Sequence, residues 1–165
     1  CRIKDLDQAK KLSGKNIWLN FIDEDTSFIS LPGMIYNKFK KVKIIGTRVY
    51  QNGGKDWPIW LVIESNNDFN PMVRYNGDKK NVGKQNYYFD KQPLPKIWGD
   101  DLIYKIMSGK ISKGMSDEQV RIAIGNPDVI NNTSSRHSVS EQWIYGDVVG
   151  EKKYLSFEYG KLISM

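Results

Sequence analysis

Apolar and polar positions divide the chain into three stretches with different periods. Over residues 16–92 short apolar bursts are separated by turn residues, as in small sheets. Ile17-Trp-Leu-Asn-Phe21 predicts a first strand, and Phe28-Ile29 a second before a Leu31-Pro-Gly33 turn. Val42 and Ile44 alternate with Lys41 and Lys43. The phase then slips, and Ile45, Thr47 and Val49 form the next alternating set. A one-residue slip beside Gly46 predicts a β-bulge and a bent strand. After the turn signal Gln51-Asn-Gly-Gly-Lys55, Trp57-Pro-Ile-Trp-Leu-Val-Ile63 is the most apolar run and predicts a central strand beginning after Pro58. Met72 to Tyr75 and Tyr87-Tyr-Phe89 predict two further short strands. This pattern predicts a small, half-open, β-barrel-like module, SH3-like in kind.

From Asp100 the apolar spacing becomes helical. Leu102, Ile103, Ile106 and Met107 predict one face of a short helix ended by Ser108-Gly109. A second helix is specified almost residue by residue. Ser116 and Gln119 form a capping box, flanked by a Met115–Val120 hydrophobic staple. Asp117 and Glu118 suit the positive end of the helix dipole. Val120, Ala123 and Ile124 provide the apolar face. Gly125 predicts a left-handed end, and Pro127 blocks continuation. Asn131 to Ser140 reads as a polar loop or ragged hairpin. Glu141–Tyr145, Lys153–Tyr159 (with Leu155, Phe157 and Tyr159 on one side) and Lys161–Met165 then predict a three-stranded meander.

The predicted class is therefore α+β: a tether over 1–15, a β-rich module over 16–92, and an α-α-β-β-β two-layer domain over 96–165. Lys91-Gln-Pro-Leu-Pro95 is the predicted linker.

Charge and chemistry narrow the functional classes. The net charge is +6, carried mainly by lysine; the arginines are Arg2, Arg48, Arg74, Arg121 and Arg136. Scarce arginine argues against a nucleic-acid partner, which favours the planar guanidinium fork. A lysine-rich surface also suits an anionic envelope. His137 is the single histidine and Cys1 the single cysteine. That excludes a histidine-rich metal site and an intrachain disulfide, and no cofactor is predicted. Asp23-Glu-Asp25 lacks the spacing of a calcium loop and reads as a solvated turn. No serine sits in a nucleophile-elbow motif, so no catalytic residue is assigned and the chain reads as a non-enzyme. Aromatic residues are the predicted anchors for binding: Trp57 and Trp60 in the first module, and Trp143, Tyr145 and Tyr159 in the second. Trp143 and Phe157 are expected to be buried, with one face of the Tyr145 strand accessible.

The C-terminal half resembles the SmpA/OmlA lipoprotein family. The matching residues are Ile111-Ser-Lys-Gly-Met115, Ser116, Val120, Ile124-Gly125-x-Pro127, Trp143-x-Tyr145, Tyr154-Leu155-x-Phe157 and Gly160-x-Leu162. Isoleucine at 124 replaces the family's usual leucine, and nothing before Lys96 matches. The resemblance implies a bacterial envelope protein that binds other envelope proteins and is attached to the outer membrane, or held in the periplasm, through lipid on Cys1. Arg2 after the cysteine resembles the outer-membrane sorting pattern. The same fold is similar to the repeat unit of secreted β-lactamase inhibitor proteins, so an inhibitor-like role is one alternative. Cell-wall or glycan binding through the first module is the other.

Overall fold

The structure is a computed structural model. It describes residues 3–20, 27–31, 37–49, 58–66, 68–77, 82–83, 85–134, 139–146 and 150–165. Cys1, Asp23–Asp25, the Gln51–Lys55 turn, Trp57 and His137 lie outside the described residues. The chain divides into two compact units, Cys1–Lys79 with Asn86–Pro93, and Lys80–Gln85 with Leu94–Met165.

The first unit is a six-stranded antiparallel sheet bent into a half-barrel. Its strands are β1 (Asn16–Leu19), β2 (Phe28–Ile29), β3 (Lys41–Val49), β4 (Ile59–Ile63), β5 (Met72–Arg74) and β6 (Tyr88–Phe89), in the order β2-β5-β4-β3-β1-β6. The predicted bulge is present: the register of β3 on β4 slips between Ile44 and Gly46. Val42 and Ile44 point inward before it, and Val49 packs on the core beyond it. Ile45, at the slip itself, is left exposed. Ile17, Leu19, Ile44, Leu61, Ile63 and Val73 form a nearly solvent-free centre. Burial of each such side chain contributes about 1.5–3 kcal/mol.

The segment expected to be a tether contains a helix, α1 (Ile3–Lys10), with Asp5 in its first turn and Lys10 in its last. Ala9 is fully buried, and Leu6 and Leu12 pack on the core. The 6, 9, 12 spacing of these side chains is too sparse to stand out among the lysines and aspartates around it.

The second unit begins with a 3₁₀ turn (Lys96–Trp98). It continues through α2 (Asp100–Met107), α3 (Asp117–Ile124), β7 (Val129–Ser134), β8 (Val139–Tyr145), β9 (Lys153–Glu158) and β10 (Lys161–Ser164). The sheet has four strands in the order β10-β9-β8-β7, one more than the meander predicted. The added strand, Val-Ile-Asn-Asn-Thr-Ser, is almost wholly exposed, so it shows no alternation to read. Trp143, Leu155, Phe157 and Leu162 from the sheet are buried, as are Ile106, Met115, Val120, Ile122 and Ala123 from the helical layer. Of the predicted α2 face, Ile106 is fully buried but Met107 is 56% exposed.

The backbone before α3 has a second task. Gly114 N–H donates to Leu162 O at 2.8 Å, and Leu162 N–H donates to Met115 O at 2.8 Å. Ser116 forms an isolated bridge with Lys161. The outer edge of β10 is thereby covered. Between β9 and β10, Tyr159 and Gly160 both take positive φ (49° and 75°), as a two-residue type I′ hairpin demands. Tyr159 thus leaves the alternation of β9 and is 65% exposed, rather than continuing the Leu155–Phe157 side.

Candidate binding surfaces

In the second unit the end of α3 is a junction of polar contacts. The capping box at its start is complete: Gln119 N–H donates to Ser116 Oγ at 3.2 Å, and Ser116 N–H to Gln119 Oε1 at 2.9 Å. At the other end Gly125 has φ 88° and ψ −176°. Its φ is positive, but its ψ is extended and not helical, which corrects the expected left-handed cap. A Cβ there would run into the Gln85 carboxamide. That carboxamide clamps the next residue: Gln85 Nε2 donates to Asn126 O at 2.9 Å and Asn126 N–H donates to Gln85 Oε1 at 2.7 Å. The buried Asn126 side chain accepts from Arg121 Nη1 at 3.0 Å. The Arg121 guanidinium lies 4.5 Å from the centroid of the Trp143 ring. Trp143 Nε1–H donates to Glu141 Oε2 at 2.8 Å, and its ring packs on Phe157 at 4.3 Å between centroids. Tyr145 donates its hydroxyl to Gly125 O at 2.9 Å, and burial raises its pKa well above that of free tyrosine, opposed in part by Arg121. This junction fixes the α3–β8 geometry and leaves Trp143 with no exposed surface.

The opposite face of that sheet is open. Register places Val129, Ile144 and Tyr154 in one row across β7, β8 and β9. Val129 is 45% and Tyr154 49% exposed, and Ile163 of β10 is exposed as well. The next rows are polar. A shallow depression of about 300 Å³ lies there, with walls that include Asn131, Thr133, Ser140, Gln142, Ser156 and Ile163.

The first unit carries a different surface on the outer side of its sheet. Trp18 faces Lys41 on one neighbouring strand and Phe89 on the other. Lys41 Nζ lies 5.7 Å from the Trp18 ring centroid. Phe39 stacks beside Phe89, with centroids 6.0 Å apart and planes tilted by 37°. Lys38 Nζ lies 4.9 Å over the Phe39 ring. The residue as a whole is exposed, yet partial burial lowers its ammonium pKa. Phe39 occupies the third position of a turn closed by Lys40 N–H donating to Asn37 O, and its φ is 67°. Glycine normally takes that position, and a bulky side chain there costs about 1–3 kcal/mol.

Of the residues predicted to anchor partners, Trp60 and Trp143 are buried, at 1% and 0% exposure. Both belong to cores and offer no side-chain surface to a partner. Tyr145 is half-buried in the α3 junction, and Tyr159 stands exposed at the β9–β10 turn. Sequence reasoning missed Trp18, Phe39, Phe89, Lys38 and Lys41. The available signal was the outward phase of Trp18 relative to Ile17 and Leu19. Among the described residues no cluster of three or more His, Cys, Asp or Glu side chains is placed to hold a metal ion. No described helix is long and apolar enough to cross a membrane. Comparisons with protein-family models, with curated proteins and with solved structures returned no match for this chain.

Proposed function

We propose that this chain is a non-catalytic binding protein of the bacterial cell envelope, held at the outer membrane by lipid on Cys1. Its C-terminal unit would engage other envelope proteins through the open face of its four-stranded sheet. The observation that carries this reading is the Val129–Ile144–Tyr154 row, exposed at Val129 and Tyr154, with exposed Ile163 bordering the neighbouring polar depression. An exposed aromatic and aliphatic row beside hydroxyl and carboxamide side chains has the mix of apolar anchor and polar surround found at protein interfaces. The attribution to the SmpA/OmlA-like class rests on the motif series from Gly114 to Leu162; the order α2-α3-β7-β8-β9-β10 adds one strand to the expected two helices and three-stranded meander. The SH3-like description of the first unit is a proposal of the same kind, supported by its short, bent, antiparallel strands.

The test is site-specific photo-crosslinking in the native envelope. A photoreactive residue at Tyr154 should yield a discrete protein adduct, weakened by Val129→Glu on the same face. One at Glu118, on the exposed side of α3, should not. Absence of an adduct from Tyr154, or the same adduct from both positions, would count decisively against this assignment.

A further inference from the structure

The outer surface around Trp18 has no role in the function proposed above, and it belongs to the other unit. It combines three features. The first is a half-buried aromatic platform of Trp18, Phe89 and Phe39, brought together by strand register and by the turn that precedes β3. The second is charge: ammonium groups from Lys38 and Lys41 lie against two of those rings, and Lys43 follows on the same side of β3. The third is backbone strain at Phe39, which occupies a glycine-type conformation. Such strain persists only where the surroundings over-determine it, and here one result is the Phe39 ring seated beside Phe89.

The chemistry of a fitting ligand follows from these features. Flat aromatic faces select a ligand with a planar or C–H-lined apolar face. Neighbouring ammonium groups select negative charge placed on the same building block as that face. The polar rim then separates two kinds of polymer. Glu64, whose N–H donates to Lys43 O, brings an exposed carboxylate to the border opposite Lys43, and no arginine is present among the platform residues. A single-stranded nucleic acid needs an uninterrupted cationic track for its phosphates. A sugar ring tolerates both signs, because its hydroxyls donate to carboxylates and accept from lysines and amides such as exposed Asn16, which shares the outward phase of Trp18. We infer that the Trp18–Phe39–Phe89 platform with Lys38 and Lys41 is a binding site for an acidic polysaccharide. The pyranose C–H face would lie on the rings and the ring carboxylate would meet the lysines.

The experiment titrates the full chain at low ionic strength with three probes: polygalacturonate oligomers, the same oligomers as methyl esters, and oligothymidylate. Polygalacturonate should bind, with affinity falling as salt is added. The methyl ester, which keeps the ring and removes the charge, should bind at least tenfold more weakly. Lys41→Glu, a change at an exposed position, should lower polygalacturonate affinity at least tenfold, and Trp18→Ala should do so to a similar extent while Trp18→Phe retains most of it. Circular dichroism checks that each variant is folded, and Lys41→Glu decides the matter should Trp18→Ala unfold. The inference is overturned by no binding of polygalacturonate, by equal binding of acid and ester, or by a Lys41→Glu variant with unchanged affinity. Tighter binding of oligothymidylate than of polygalacturonate would assign the surface to nucleic acid instead. Because the site lies outside the C-terminal sheet, a failed Tyr154 crosslink leaves this result standing, and the reverse also holds.

Discussion

At the scale of single residues, two tyrosines show how burial becomes pH dependence. The Tyr145 hydroxyl donates to Gly125 O, and the Tyr88 hydroxyl accepts from Asn76 N–H at 3.3 Å. Burial raises both pKa values above that of an unfolded-chain tyrosine, about 10. A folded pKa above the unfolded one means that the associated stability is complete below about pH 10. It is lost as the pH climbs toward the folded values. Unfolding of the protein should therefore set in on the alkaline side, with tyrosinate absorbance rising together with loss of ellipticity. Tyr145→Phe should cost about 0.5–1.5 kcal/mol at neutral pH through the lost hydrogen bond. The same variant should flatten the alkaline decline, and an unchanged decline would show that Tyr145 does not govern it. Tryptophans teach a related lesson. The sequence offers Trp57, Trp60 and Trp143 as conspicuous, but apolar context marks a tryptophan as core more often than as surface. Trp60 and Trp143 are core, whereas Trp18 stands half-exposed because its strand alternates.

At the scale of elements, legibility followed how local the determining interactions are. The start of α3 was readable because a capping box uses residues three apart, and both of its hydrogen bonds are present. Replacing Ser116 by alanine should destabilise the second unit by about 1 kcal/mol, seen as a lower urea midpoint. Threonine there should restore most of it, and a midpoint unmoved by alanine would mean that the cap is energetically silent. The bulge at Gly46 was equally local. By contrast, β7 is polar beyond Val129 and Ile130 and is defined by its pairing with β8 rather than by its own periodicity. The space beside Gly125 is filled from forty residues away, by the Gln85 carboxamide that also holds Asn126. The hairpin of β7 and β8 was legible only as one of two readings of Asn131–Ser140, and the Gly125 conformation was not legible from its own stretch of chain.

At the scale of the whole molecule, the two units are not simply consecutive. Residues 80–85 fold with the C-terminal unit although they lie between β5 and β6 of the other. Gly83 N–H donates to Pro127 O at 2.9 Å, and Gln85 holds both backbone groups of Asn126. Gln85→Ala in the full chain should strand those buried groups, costing about 1–3 kcal/mol for each that finds no water. Hydrogen exchange at the Asn126 amide is the direct measure, and undiminished protection there would refute the clamp. The treatment of the two sheet edges in this unit has a consequence for assembly. The segment at Gly114–Ser116 occupies the β10 side, whereas β7 has no strand on its far side among the described residues. If the β7 edge paired with the same edge of a twin, both free edges would be used, whereas a strand taken from a different protein would present its own outer edge. On the described edges, pairing through this sheet would give pairs of the chain and not filaments, since a filament needs two free ends on every subunit.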